Sequence, residues 1–240
     1  MDADATRKRA AESGGVSTDV ELYQVVRQSV LRRARHRGVL VDFGCGAGTL
    51  WRVMGADLAK YVGVDVLRYD GFPSGERVEF VLSDLEKGCP DLGDSCADIV
   101  CCLETIEHVE NPRALFREVV RLAKPGGLIV VTTPNQLSLA SKISLLLKNE
   151  FIFFQERPGL YPSHLTALLE IDLVRMAREN GLEAIEAIYT GCGRIPLSAG
   201  RWPRFLSARR GSRARAFSDN VILLANKSPA GATVPAVWRS

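Results

Sequence analysis

The sequence predicts an α/β domain in which helices cover both faces of a parallel β-sheet. Five short apolar runs of strand length follow one another between residues 38 and 135. The stretches between them have helical spacing or turn residues. Because parallel strands need a crossover connection, this alternation is typical of a parallel sheet that is buried on both faces.

Capping and turn residues predict the elements in chain order. The first helix begins at Thr18, where Glu21 three residues later completes a capping box, and it runs to about residue 36. Asn111 and Pro112 begin the helix before the fifth strand, and the segment KPGG ends that helix. The five strands are predicted in GVLVDFG, YVGVDV, VEFVLSDL, ADIVCCLE and GLIVVTTPN, with a helix in TLWRVMGADLA.

The alternation changes after Asn135. Residues 136–163 form an insertion that is too long for a simple strand-to-helix connection. A helix is predicted over residues 164–180, followed by two last strands in EAIEAIYT and NVILLANK. The loop at 192–217 between those strands contains seven arginines and no acid from Arg194 to Arg215.

The composition is that of an ordinary globular protein. Its 240 residues are 46% hydrophobic and 25% charged, enough for one core. We predict one domain over 17–228, with a disordered tail at 1–16 and a second tail at 229–240. The chain has no run of about 18 apolar residues and no signal-like apolar segment, so we expect a cytoplasmic protein. The net charge of +3 is too small to imply a nucleic-acid partner.

The segment VDFGCGAG places three glycines after the first strand: Gly44, Gly46 and Gly48. At the carboxyl end of a parallel strand, glycine lets the backbone approach a ligand closely and present its amides. A dinucleotide fingerprint would need its third glycine at position 49, where this chain has Thr49. Asp42 before the loop disfavours a pyrophosphate, since two negative groups repel, and it favours a ligand with an ammonium group.

Two further acids follow the next strands. Asp65 ends the second strand, about 20 residues after the first glycine, where a carboxylate accepts hydrogen bonds from both hydroxyls of a ribose. Asp84 follows the third strand with Leu85 beside it, a pair that suits an adenine ring. An amino acid joined to an adenosine satisfies Asp42, Asp65 and Asp84 together. A solvated loop acid is the alternative for Asp65 and for Asp84.

These segments resemble the class I S-adenosylmethionine-dependent methyltransferases. The resemblance covers about residues 37–135, through VDFGCGAG, YVGVDV, VLSDLE, ADIVCCLETIEHVENP and LAKPGGLIVVTTPN. Its last two segments are similar to the branch that contains ubiquinone-biosynthesis O-methyltransferases and many sugar and natural-product methyltransferases. The resemblance implies S-adenosyl-L-methionine as the cofactor and a Rossmann-like sheet of seven mostly parallel strands, with an antiparallel last strand.

The resemblance also implies which residues contact the cofactor. The three glycines would wrap its methionine part, and Asp42 would orient the ammonium group. Asp65 would bind the ribose, while Asp84 and Leu85 would contact the adenine. The implied cofactor-binding residues lie at the ends of the first four strands: Asp42, Gly44, Cys45, Gly46, Gly48, Asp65, Val66, Asp84, Leu85, Leu103 and Glu104.

Methyl transfer to a hydroxyl needs an aligned acceptor and a base for its proton. His108 is the first candidate base, because histidine titrates near neutral pH; it equally suits a role in tying the end of the fourth strand to nearby backbone. His164 is the second candidate, facing the acceptor or capping the late helix. Glu104 and Glu107 bind an ion or a polar substrate in some relatives, but two acids on a short helical turn are more often solvated. We expect no metal, and the six cysteines have no metal-ligand spacing and are expected to be free thiols.

Two segments bear on the acceptor. Residues 142–154 are apolar with Lys142 and Lys148 beside them, which suits a cover for a greasy acceptor, a peripheral membrane contact, or packing on the protein's own sheet. The arginine-rich loop is either a solvated, mobile loop or a site for phosphates on a lipid-linked glycan, an anionic membrane or RNA.

The sequence therefore predicts an S-adenosylmethionine-dependent methyltransferase that acts on an oxygen of a small-molecule, sugar or lipid-linked acceptor. A tRNA methyltransferase of the wobble-uridine type is the alternative enzyme. A nucleic-acid partner is disfavoured, because few aromatic residues accompany the arginines. A catalytically silent binding module with the same fold is the alternative of another class.

Overall fold

Seven strands form one central sheet in the computed structural model, which describes residues 20–155, 164–190, 192–198, 200–203 and 210–229. The strands are β1 (Val39–Phe43), β2 (Lys60–Asp65), β3 (Val78–Leu82), β4 (Ala97–Cys102), β5 (Ala123–Pro134), β6 (Leu182–Tyr189) and β7 (Asn220–Lys227). Their order across the sheet is β3-β2-β1-β4-β5-β7-β6. The first five pair in parallel, and β7 is antiparallel to both of its neighbours. The predicted fold class is confirmed.

Helices cover both faces of this sheet. They are α1 (Val20–Arg33), α2 (Thr49–Met54), α3 (Pro112–Leu122), α4 (Leu139–Lys148), α5 (Glu170–Glu179) and α6 (Gly211–Phe217). One buried cluster joins the sheet to Phe116 of α3 and Met176 of α5, and a second joins it to Val26 of α1 and Met54 of α2. Successive strand residues enter opposite clusters because their side chains alternate between the faces. None of the helices described here has the length and apolar character needed to cross a membrane.

Three predicted boundaries need comment. The helix start at Thr18 lies outside the described residues. The segment KPGG is part of β5, which begins at Ala123, and the pairing with β4 shifts register before Leu128. The late helix begins at Glu170 and not at residue 164, because the carboxylate of Asp172 accepts the backbone N–H of Leu169 at 3.1 Å and fixes the helix start there.

The order of the strands indicates which edge of the sheet can bind a ligand. β1 pairs with β2 on one side and with β4 on the other. The strand order therefore reverses at β1, with β2 and β3 on one side and β4 and β5 on the other. In open α/β sheets ligands bind outside the carboxyl ends of the strands at such a switch point. The residues that follow β1, β2 and β4 therefore meet at a single edge of the sheet.

Candidate functional site

The loop after β1 requires glycine at two positions. Gly44 has φ +71° and Gly48 has φ +75°, a backbone region that other residues rarely adopt. A Cβ on Gly44 would lie 2.1 Å from Oγ1 of Thr105, and one on Gly48 would lie 2.4 Å from Cδ of Pro73. The N–H of Gly44 also donates to the carbonyl of Val64 in β2, at 2.8 Å. Both the backbone conformation and the close packing exclude a side chain at Gly44 and at Gly48.

Asp65 lies against the glycine loop. Its carboxylate accepts the backbone N–H of Gly46 at 2.8 Å through Oδ2 and that of Val66 at 2.8 Å through Oδ1. Burial raises the pKa of Asp65, while these backbone donors oppose the shift. The structure thus brings together Asp65, Gly46 and Val66, three of the residues that the sequence singled out.

Asp42 is buried beneath the same loop. It accepts a hydrogen bond from the hydroxyl of Tyr61 at 2.7 Å. Burial raises the pKa of Asp42 to about 7, with Asp65 adding to the rise and the Tyr61 hydroxyl opposing it. The sequence reasoning did not identify Tyr61 as a partner of Asp42. The parallel pairing of β1 with β2 places Tyr61 opposite Leu40. Leu40 lies two residues before Asp42 and therefore on the same face of the sheet.

Cys45 packs inside the fold. Its side chain is buried, and a Cβ on Gly63 would come within 2.8 Å of its sulfur atom. Burial, and next the charge of Asp42, raises the pKa of the thiol. Five of the six cysteines are buried thiols, and Cys96 is partly exposed.

Asp84 and Leu85 lie in a turn after β3. Oδ1 of Asp84 accepts the backbone N–H of Glu86 at 3.1 Å, and its other oxygen lies 3.2 Å from the amine of Lys87. Leu85 packs against the core cluster beneath α3. These contacts place Asp84 in a local turn, and its contact with an adenine ring stays a prediction.

Glu104 is fixed at the end of β4 by two other strands. Its N–H donates to Oγ1 of Thr132 at 2.9 Å, and the Thr132 hydroxyl donates back to Oε1 at 2.8 Å. The side-chain amide of Asn220 donates to Oε2 at 2.6 Å. Glu104 has φ +49°, a strained conformation of the kind that clusters at functional sites. Leu103 beside it is buried.

The structure brings His108 and His164 together. Their ring centroids are 4.7 Å apart in an edge-to-face arrangement. Nδ1 of His164 lies 2.7 Å from the carbonyl oxygen of Phe153, and burial lowers the pKa of His164. The predicted alternative that His164 caps the late helix is wrong, since the residue that caps this helix is Leu169.

Glu107 is completely buried, so its interpretation as a solvated acid is wrong. Within the described ranges, neither of its carboxylate oxygens makes a hydrogen bond of ordinary geometry, although the nearby hydroxyl of Thr133 acts to lower the pKa of Glu107. Burial, and next the charge of Glu104, raises the pKa of Glu107 well above its usual range. Ligand-type atoms of Glu107, His108 and His164 all lie within 4.8 Å of one another. Sequence reasoning expected no metal here, and the E–H pair at 107–108 was the available signal for a cluster of this kind.

The arginines after β6 find acids from distant parts of the chain. Arg215 lies 2.9 Å from Glu170 of α5, and Arg210 pairs with Glu186 of β6. Arg194 and Arg201 lie near Asp219, just before β7. The described part of this loop is therefore held by ion pairs and is not a simple solvated loop.

Comparison with known proteins identifies the family of this chain from its sequence and relates its fold to a solved structure. A family model described as a methyltransferase domain matches residues 20–187. The chain is 31% identical over 167 residues to the ubiquinone biosynthesis O-methyltransferase of Thiobacillus denitrificans, which is 66% of this chain and 69% of the relative. It is 30% identical over 165 residues to that of Nitrosospira multiformis, which is 65% of this chain and 68% of the relative.

A solved structure shares the fold. The SAM-dependent methyltransferase from Archaeoglobus fulgidus superposes with a TM-score of 0.61 at 18% sequence identity. The match covers 86% of this chain and 94% of the other.

Proposed function

Because the chain belongs to the S-adenosylmethionine-dependent methyltransferases, we propose that it methylates an oxygen of a small-molecule, sugar or lipid-linked acceptor. The curated relatives are named O-methyltransferases of ubiquinone biosynthesis, which supports an oxygen as the methylated atom.

In this proposal the glycine loop and the acids beside it bind S-adenosyl-L-methionine. The cofactor supplies a methyl group on a sulfonium centre. Gly44, Gly46 and Gly48 surround its methionine part, because all three have a positive φ that lets the loop turn tightly and present backbone amides. Asp65 already accepts two backbone N–H groups, and the same oxygens suit the hydroxyls of a ribose. Asp42, Cys45, Val66, Asp84, Leu85, Leu103 and Glu104 complete the proposed site.

The pair His108–His164 is the observation that carries O-methylation. A hydroxyl must lose its proton as the methyl group is transferred, and a neutral imidazole can accept it. Burial lowers the pKa of His164, with the Phe153 carbonyl opposing the shift, and this favours the neutral ring. One histidine of the pair then acts as the base for the acceptor hydroxyl and the other orients it.

The buried carboxylate of Glu107 favours a metal-assisted form of the same reaction. Glu107, His108 and His164 are the residues that would hold a divalent cation. Such an ion lowers the pKa of a hydroxyl that it binds. If the ion is required, a chelator abolishes methylation and added Mg²⁺ restores it; if the histidines act alone, the chelator has no effect.

The cofactor site is tested by calorimetric titration with S-adenosylhomocysteine. We expect micromolar binding, about −8 kcal/mol, and a loss of at least about tenfold in Asp65→Ala. Asp70→Ala is the matched control, because Asp70 is an exposed acid five residues further on. Equal affinity of the two variants would contradict the assignment of Asp65.

The histidine pair is tested by turnover of hydroxylated acceptors. We expect His108→Ala or His164→Ala to lower kcat by about 100-fold or more while the affinity for S-adenosylhomocysteine stays unchanged. Methylation of amines and not of hydroxyls, with full activity in both variants, would overturn the proposal.

We also propose that α4 contacts a membrane surface. This helix buries Ala140, Ser141 and Ser144 and exposes three of its four leucines, of which Leu146 is 81% and Leu147 is 61% exposed. These three leucines therefore do not pack on the protein's own sheet. The exposed residues Lys142 and Lys148 beside them suit anionic lipids.

Liposome sedimentation tests this contact. We expect Leu146→Asp with Leu147→Asp to reduce the bound fraction on vesicles that contain phosphatidylserine. Leu82→Asp is the control, because Leu82 is 65% exposed at the end of β3. Equal sedimentation of both proteins would remove the membrane contact and leave the methyltransferase proposal intact.

A further inference from the structure

Residues 192–198 and 200–203 contain a small hairpin, here called the arginine hairpin. Arg194 and Arg201 pair across it in an antiparallel bridge. The N–H of Ile195 donates to the carbonyl of Gly200 at 2.9 Å, which closes the turn. The pairing places two guanidinium-bearing residues directly beside each other, the position in which cross-strand side chains interact.

The two arginines share one carboxylate. Nε of Arg194 and Nη1 of Arg201 each lie 3.7 Å from the same oxygen, Oδ2 of the buried Asp219. Among the residues that the structure describes, these two cations therefore share one acid, which leaves one of the two positive charges without an acidic partner in that part of the chain. The arginine side chains are 50% and 53% exposed, and a guanidinium has five N–H donors, more than these contacts use.

The arginine hairpin lies beside the histidine pair. The guanidinium of Arg194 lies 5.1 Å from the ring centroid of Phe153, and the carbonyl of Phe153 is the group that contacts His164. On its other side, Asp219 is followed by Asn220, which donates to Glu104 at the end of β4. These contacts connect the arginine hairpin with the segments that carry His164 and Glu104.

Trp202 adds a buried donor to the same hairpin. Its indole Nε1 has no acceptor among the residues described here, although the atom is buried. Its ring packs edge-to-face on Phe217, with centroids 4.9 Å apart. A buried N–H without an acceptor is costly, so this donor suits a ligand that carries a hydrogen-bond acceptor.

We propose that Arg194 and Arg201 bind an oxyanion, a carboxylate or a phosphate, carried by the methyl acceptor. This rests on the proposed function, since it names the charge of the acceptor in that same site. The acceptor then places its hydroxyl at the histidine pair and its anionic group at the arginine hairpin. Guanidinium groups match the geometry of both oxyanions with two parallel hydrogen bonds.

The test uses matched charged and neutral probes on protein loaded with S-adenosylhomocysteine, at one fixed ionic strength. The pairs are 4-hydroxyphenylacetate with its amide and glucose 6-phosphate with glucose, and they distinguish a carboxylate from a phosphate. By calorimetry we expect the charged member of at least one pair to bind about tenfold tighter than the neutral one. Arg194→Gln and Arg201→Gln should each remove most of that preference without changing the binding of the neutral probe.

Each single variant should still fold, because one arginine remains to pair with Asp219. Arg213→Gln is the control, since Arg213 is exposed on α6 in the same basic loop. Binding of S-adenosylhomocysteine with no preference for either charged probe would overturn this proposal alone. Losses in Arg194→Gln and Arg201→Gln no larger than in Arg213→Gln would do the same. A folded wild-type protein that binds no S-adenosylhomocysteine would overturn the proposed function as well.

Discussion

Two halves of the functional edge are built by different kinds of contact. The glycine-loop half (residues 42–48 and 61–66) is joined by the hydrogen bonds Tyr61–Asp42 and Gly46–Asp65, each between residues 19 positions apart. The histidine half (residues 104–108, 151–155, 164–166 and 219–220) includes the hydrogen bond from Asn220 to Glu104, which spans 116 positions. The first half depends on backbone conformation between neighbouring strands, and the second on how remote segments meet.

The largest loss of stability is expected when a side chain is added to the backbone of the glycine-loop half. Gly44→Ala forces a Cβ into Thr105 at a positive φ, so we expect the free energy of unfolding to fall by about 4 kcal/mol. Gly71→Ala is the control, because Gly71 has φ +77° but only the flexible end of Arg52 near it, at 3.8 Å. It should cost about 1 kcal/mol. Urea unfolding of both variants checks this, and equal losses would mean that packing against Thr105 does not matter.

The second prediction concerns the buried carboxyl group of Asp42 in the same half. The folded state holds a proton on Asp42, whose pKa is raised from 3.8 to about 7, and the unfolded state releases it. Stability should therefore decrease as pH rises from about 4 to about 7, since the folded state binds more protons in that window. Relative to Asp42→Asn, we expect the wild type to lose about 2 kcal/mol between pH 5 and pH 7.

Urea titrations at several pH values measure this difference. Asp70→Asn should follow the wild type at every pH, because Asp70 is exposed. A wild-type curve parallel to that of Asp42→Asn would show that the carboxyl group of Asp42 titrates normally.

The smallest effect tests the long-range contacts of the histidine half. Asn220→Ala removes a hydrogen bond to the carboxylate of Glu104, for which we expect a loss of about 1.5 kcal/mol. Asn226 lies on the same strand and donates to the neutral carbonyl of Gly126 at 3.2 Å, so Asn226→Ala should cost about 1 kcal/mol. Thermal unfolding measures both, and a larger loss in Asn226→Ala would contradict the importance of the Glu104 contact.

Much of the glycine-loop half could be predicted from the sequence. Glycine spacing and an acid at the end of the second strand indicate the loop and Asp65, because backbone conformation and strand order follow from local patterns. Tyr61 as the partner of Asp42 was missed, since it depends on the register between β1 and β2.

The histidine half was predicted only as separate residues. His108 and His164 were each singled out, but sequence alone did not place their rings 4.7 Å apart. Glu107 was wrongly predicted to be solvated, because a short acidic turn gives no sign of the segments that cover it. Here the backbone N–H groups of Leu165 and Thr166 both donate to the carbonyl of Glu107 and hold that segment in place.

By itself, the sequence determined the fold class, the methyltransferase family and the glycine loop, since these follow from periodicity, turn residues and short motifs. The folded structure was needed to show that Glu107 is buried, that three leucines of α4 are exposed and that Arg194 and Arg201 share Asp219. Burial and charge pairing depend on which remote segments come together. The free energy that brings them together comes from packing the whole domain and is not encoded in any short stretch of chain.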